Sequence, residues 1–212
     1  MPDGQYSFYL HSDDRTDIAA MATISTISQP LRGEFIRTAA TAGAVVYQVD
    51  ARLPALIPVF FAGQLSAVRL CAVMALVSGT WSSLTGLPDE PENGWAALPV
   101  SPETEYQRRR YTLTLQNGRS GERVESVLTE ASSRLRGDLL RNLIITGLAL
   151  HTTAPELPRL LASMPVPPTS VSELQALVQQ MAGTADVNRA AAAVPDTPAA
   201  SAAPVSGLYS RG

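Results

Sequence analysis

Hydrophobic and polar side chains alternate strictly in two short stretches, Tyr6-Ser7-Phe8-Tyr9-Leu10 and Tyr111-Thr112-Leu113-Thr114-Leu115. Tyr6, Phe8 and Leu10 share one side and Ser7 and Tyr9 the other, while Tyr111, Leu113 and Leu115 oppose Thr112 and Thr114. A period of two predicts a strand with one face buried. An isolated short strand leaves its backbone groups unpaired, so the two stretches are expected to partner each other as an antiparallel ribbon.

After each strand the period lengthens to that of a helix. Ile18, Met21, Ile24 and Ile27 follow Asp13, Asp14 and Asp17. Val124, Val127, Leu128 and Ala131 follow Ser120, the expected cap, with Glu122 and Glu125 suited to the first turns. A second helix opens at Leu-Arg-Gly and presents Phe35, Ile36, Ala39 and Ala42, or Leu139, Leu140, Leu143 and Ile144, ahead of Gly43 or Gly147. Glycine inside a helix costs about 1 kcal/mol relative to alanine, so close helix packing is expected at both. A third helix starts near Leu53-Pro54 or Leu157-Pro158, because the first turn tolerates proline. A last helix begins at Ser170, where Ser170 and Glu173 form a capping box ahead of Leu174, Leu177, Val178 and Met181.

These likenesses amount to an internal repeat. Leu31-Arg32-Gly33-Glu34-Phe35-Ile36-Arg37 lies over Leu135-Arg136-Gly137-Asp138-Leu139-Leu140-Arg141, and the same displacement carries Gly43 to Gly147 and Leu53-Pro54 to Leu157-Pro158. The strands match with one residue of extra loop. The expected fold is mainly α: two tandem units at residues 5–78 and 108–182, each with one short N-terminal strand and about four helices. Residues 79–107, with Trp81 and Trp95, lack periodicity and read as a linker. The Ala-, Pro- and Ser-rich stretch 183–212 has almost no large apolar residues before Leu208 and Tyr209, so a disordered tail is expected.

Charge adds an asymmetry. The net charge is -3, yet residues 1–61 hold 4 Arg against 6 acids, whereas residues 106–164 hold 9 against 5. The second half is therefore the basic one. Every cation is arginine, so a nucleotide loop that needs lysine is excluded. The single cysteine, Cys71, cannot form an internal disulfide, and no leader-like N-terminus is visible, so a cytoplasmic location is expected. The most apolar stretch, residues 53–77, is broken by Pro54, Pro58, Gln64 and Arg69, which argues against a membrane span. His11 and His151 are far apart, and the chain has neither a metal-spaced cluster nor a nucleophile elbow, so neither a cofactor nor catalysis is expected.

A two-stranded ribbon fits the major groove of B-DNA, where its polar face contacts base edges. Ser7, Tyr9, Thr112 and Thr114 are the candidate readers. Arg136 with Gly137, and Arg32 with Gly33, combine a cation with free backbone N–H groups at a helix start, an arrangement that grips phosphate. The run Arg108-Arg109-Arg110, just before the second strand, is expected to follow the backbone, with Arg110 nearest the strand.

The order strand, helix, Leu-Arg-Gly-Glu/Asp with a following Arg, Gly, then Leu-Pro and further helices resembles the ribbon-helix-helix half of the ParR/StbB plasmid partition adaptors. Copy one resembles it best, through residues 32–47 and Asp50-Ala51-Arg52-Leu53-Pro54. The resemblance covers about two thirds of the chain. It implies a tandem ribbon-helix-helix-like protein that binds double-stranded, centromere-like DNA repeats and self-associates on them. It also implies a C-terminal segment that engages an actin-like filament ATPase of ParM type. A ribbon-helix-helix repressor or antitoxin shares these features, and a helical assembly protein without DNA fits the acidic net charge.

Overall fold

The computed structural model describes residues 4–80 and 107–192. Trp81, Trp95 and the end of the tail, with Leu208 and Tyr209, lie outside the described residues. The order strand, helix, helix, helix, helix runs twice. The first run is β1 (Gln5–His11), α1 (Arg15–Ser25), α2 (Arg32–Val49), α3 (Leu53–Phe60) and α4 (Ala67–Ser78). The second is β2 (Arg108–Thr114), α5 (Arg119–Glu130), α6 (Arg136–Thr153), α7 (Leu157–Ser163) and α8 (Val171–Ala192). The described chain is therefore mainly helical, with one two-stranded antiparallel sheet.

The strands pair with each other as their alternation predicts. Ser7 faces Thr112, Gln5 faces Thr114 and His11 faces Arg108. Backbone bonds extend the ladder at both ends, from Ser12 to the Gln107 carbonyl and from Leu115 to the Gly4 carbonyl, each 3.0 Å. Phe8, Leu10, Leu113 and Leu115 are buried under the ribbon, and the Phe8 and Tyr111 rings stack at 5.2 Å between centroids. The arginine run corrects one expectation: Arg108, Arg109 and Arg110 do not precede β2 but form its first residues.

Helix starts follow their local chemistry, with one correction. The Asp14 side chain accepts from the Asp17 backbone N–H at 3.0 Å and so caps α1. Ser120 does not cap α5. Gly118 takes that position at φ 137°, a conformation that glycine adopts readily. The chain thereby turns out of β2 early enough for Ser120 to lie inside the helix, where its hydroxyl donates to the Ala162 carbonyl at 3.3 Å. At α8, Ser170 Oγ accepts from the Glu173 N–H at 3.2 Å, while the Glu173 carboxylate accepts from the Thr169 N–H at 2.8 Å. Bonds from the Thr169 N–H and hydroxyl hold that carboxyl below its ordinary range.

The centre of the molecule is the α2–α6 pair, the most extensive helix contact. Both helices are buried all round through their middles, from Ala39 to Val46 and from Leu143 to Leu150. This goes beyond the single apolar face that the sequence pattern predicts. The reason is cross-packing: α3 lies against α6 and α7 against α2, while α4 packs on α8. Each run thus covers the central helix of the other, and one hydrophobic core draws on both. The two glycines make the crossing possible. A Cβ at Gly43 would stand 2.6 Å from the Leu143 carbonyl carbon, and one at Gly147 2.6 Å from that of Ala39.

Arg141 joins the runs through two acids of the first, Asp17 inside this core and the half-exposed Asp14, whose Oδ1 lies 3.3 Å from Arg141 Nη2. Asp17 is fully buried; its carboxylate accepts from Arg141 Nε at 2.6 Å and from the His11 N–H at 2.9 Å. Burial pushes the Asp17 carboxyl above its ordinary value, against the bonds from Arg141 and His11 and the charge of Arg141. The tail departs from expectation, because α8 continues past Gly183 to Ala192. A lack of large apolar residues removes a reason to be buried, but the alanines there still favour helix. No helix among the described residues is long and apolar enough to cross a membrane.

Candidate nucleic-acid interface

The ribbon's outer face follows from the strand period. Side chains facing away from the core are Gln5, Ser7, Tyr9 and His11 from β1, and Arg108, Arg110, Thr112 and Thr114 from β2. The structure therefore brings together five of the expected residues, Ser7, Tyr9, Arg110, Thr112 and Thr114, on one surface. Arg110 reaches across to Ser7 Oγ through Nε at 3.2 Å and Nη2 at 2.9 Å. The Arg108 guanidinium carbon lies 3.6 Å from the Tyr9 ring centroid, well inside the range of a cation–π contact. Two cations are thus held in place over the ribbon's polar face.

Arg109 has the opposite parity and lies 5.2 Å from the Tyr111 ring centroid. Burial raises the Tyr111 phenol above its ordinary value, against the nearby charges of Arg109 and Arg32, so the ring under the ribbon stays neutral at physiological pH.

The helix-start residues behave differently from expectation. Arg32 and Arg136 open α2 and α6, but their backbone amides are already used: Arg32 donates to the Gln29 carbonyl and Arg136 to the Ser132 carbonyl at 3.2 Å. Their side chains turn back onto the preceding turn. Arg32 Nε donates to the Ile27 carbonyl at 2.8 Å, and Arg136 Nε to the Ala131 carbonyl at 3.2 Å. These carbonyls occupy equivalent places in the two runs. Each arginine therefore ties the end of the first helix to the start of the second, and only its remaining guanidinium donors could serve a phosphate. Gly137 has a close neighbour, since its Cβ would lie 3.4 Å from the Ser7 carbonyl oxygen, whereas at Gly33 the nearest atom is Arg37 Nη1 at 3.8 Å. The start of α6 is thus packed beneath β1, and Gly33 has no matching contact to a strand.

Sequence reasoning placed Arg108 outside the strand and left Gln5 and His11 unassigned. Counting parity back from Tyr111 through the arginines would have found Arg108 on the outer face. Among the described residues no group of three His, Cys, Asp or Glu could hold a metal ion. Cys71 is buried, and burial raises its thiol above the ordinary value against a bond from Gln179.

Taken together, the architecture is a helical protein that carries a two-stranded antiparallel ribbon with a polar, arginine-bearing face. The chain belongs to the family of plasmid stability proteins, whose model matches residues 4–74 and again residues 109–178. The two matches cover about two thirds of the chain and are displaced as the internal repeat is, including its one-residue difference at the strands. A role in plasmid stability follows from that membership. No curated protein and no solved structure matches the chain.

Proposed function

We propose that this chain is a plasmid partition adaptor in which two ribbon-helix-helix-like units are fused into one polypeptide. One chain then supplies both strands of a ribbon that enters the major groove of centromere-like DNA repeats. The observation that carries this is the β1–β2 ribbon, whose Ser7, Tyr9, Arg110, Thr112 and Thr114 share a solvent-facing surface. A ribbon of two strands is one of the few elements that the groove admits, and base edges there offer a donor and acceptor pattern that hydroxyls and guanidinium groups read. The remaining donors of Arg32 and Arg136 contact flanking phosphates.

The net charge of -3 is compatible with this function because cations are concentrated where the ribbon is, and phosphate attraction acts locally within a screening length. In the same proposal the protein acts in the cytoplasm, needs no cofactor, self-associates on iterated repeats, and links them to an actin-like filament ATPase of ParM type through its C-terminal segment. The test is binding of the purified protein to DNA from immediately upstream of its own gene against shuffled DNA, at low and moderate salt, followed by co-sedimentation with the filament protein. Specific, salt-sensitive binding at repeated sites with filament capture is the expected result. Specific binding without capture would turn the assignment to a repressor, and no specific binding at low salt would turn it to a helical assembly protein.

A further inference from the structure

The ribbon has a local two-fold symmetry in its backbone that its side chains do not obey. The pair Ser7 and Thr112 lies at the centre, because each occupies the place of the other in the two runs. Rotating about that pair exchanges Gln5 with Arg110 and Tyr9 with Thr114. On one side of the centre the outer face carries Tyr9, His11, Arg108 and Arg110; on the other it carries Gln5 and Thr114. In sequence, the positions of Arg108 and Arg110 are filled in the first run by Asp3 and Gln5. Among the described residues, one end of the ribbon's outer face is cationic and aromatic, and the other carries the neutral Gln5 and Thr114.

We infer that this ribbon recognises a DNA site without dyad symmetry and seats its Tyr9–Arg108–Arg110 end on a half-site that contains guanine. The inference rests on the DNA-binding proposal above and adds to it the kind of site that is bound. A dimer of identical units presents the same residues to both half-sites, so its best site is a palindrome. A fused chain is free of that constraint, and here the two ends differ in charge and hydrogen-bonding groups. Arginine is the side chain that best reads guanine, through paired bonds to O6 and N7. Arg110 uses Nε and one Nη2 proton on Ser7 Oγ, which leaves further N–H donors on a guanidinium already held in place. Arg108 is held by its contact with Tyr9, which reduces the ordering cost of a DNA contact. Gln5 and Thr114 offer only neutral groups at the opposite end.

The experiment takes the repeat protected in a footprint on the DNA upstream of the gene. Two palindromes are then made from it by reflecting each half, and affinities of the full chain for all three are measured by fluorescence anisotropy at one salt concentration. One palindrome should bind within a few-fold of the natural site and the other about 10-fold or more weaker. Arg110→Ala should erase most of that difference, whereas Thr114→Ala, which removes a reader from the opposite end, should keep or widen it. Equal affinity for both palindromes, or loss of the difference in Thr114→Ala and not in Arg110→Ala, would overturn the inference while leaving DNA binding intact. Failure of the natural site to bind above shuffled DNA would instead overturn the proposal beneath it.

Discussion

Gly43 of α2 lies against the main chain of Leu143 in α6, so close that a Cβ would stand 2.6 Å from the Leu143 carbonyl carbon. The equivalent glycine, Gly147, meets Ala39 in the same way. The central crossing is therefore made backbone to backbone at two points, and any side chain at either glycine must push the helices apart. Alanine gains about 1 kcal/mol of helix propensity over glycine, whereas overpacking costs about 1–3 kcal/mol and more where the obstacle is backbone. Gly43→Ala and Gly147→Ala should each lower the urea midpoint, by a net loss of about 2 kcal/mol. Gly33→Ala, whose new methyl meets only the end of the Arg37 side chain at 3.8 Å, should be neutral or slightly stabilising. A stabilised Gly43→Ala protein would show that the helices do not cross this closely.

That crossing was legible in the sequence because glycine in an apolar helix needs a reason, and two glycines at equivalent places suggest the same reason. The ribbon was legible for the same kind of cause: Phe8 and Leu113 alternate with polar neighbours, and the repeat supplies each strand with a partner. Arg108 and Arg109 were not legible as strand, since three successive arginines carry no hydrophobic period to read. Nor was the role of Asp17, which from the sequence is one more acid near a helix start. Its partner Arg141 lies 124 positions away and only the cross-packing of the two runs brings them together. Ser120 was misread because Gly118, two residues earlier, sets the turn.

The Asp17–Arg141 pair predicts a pH effect of definite sign. Burial raises the Asp17 carboxyl above its ordinary value of 3.8, so the folded protein keeps this proton at a pH where the unfolded chain has lost it. Folding therefore takes up a proton between the two values, and the site's contribution to stability grows as pH falls through that window. Asp17→Asn keeps an acceptor for Arg141 but does not titrate. The stability difference should shift in favour of the parent protein as pH is lowered from neutrality toward 3.8. Asp17→Leu, which leaves Arg141 without its buried partner, should cost about 3 kcal/mol at neutral pH. Urea unfolding of the three proteins at several pH values checks both, and a shift of opposite sign would contradict the burial of this carboxyl.

Thr146 offers a stabilising change. Its side chain is fully buried in α6, and Oγ1 has no hydrogen-bond partner among the described residues. Valine has nearly the same shape and no hydroxyl to leave unsatisfied, so Thr146→Val should raise stability by about 1 kcal/mol at an unchanged denaturant slope. Thr41 is the contrast. Its hydroxyl donates to the Arg37 carbonyl at 3.0 Å, so Thr41→Val should give no gain.

Phosphate contacts at the helix starts and base contacts on the ribbon separate in DNA binding. A phosphate contact is indifferent to sequence, so Arg136→Ala should weaken binding to every DNA and reduce the slope of log affinity against log salt by about 1. Thr112→Ala and Thr114→Ala should leave that slope alone and narrow the gap between specific and shuffled DNA. Because Arg136 Nε also ties down the Ala131 carbonyl, Arg136→Ala should lose about 1 kcal/mol of stability as well. Arg32→Ala removes the equivalent tie to the Ile27 carbonyl from the acidic half of the chain. If Arg32→Ala matches Arg136→Ala in stability but not in salt slope, the phosphate grip belongs to the start of α6, beneath β1. If the two match in both, each helix start holds a phosphate, and if neither changes the slope, the cations that hold DNA are those of the ribbon.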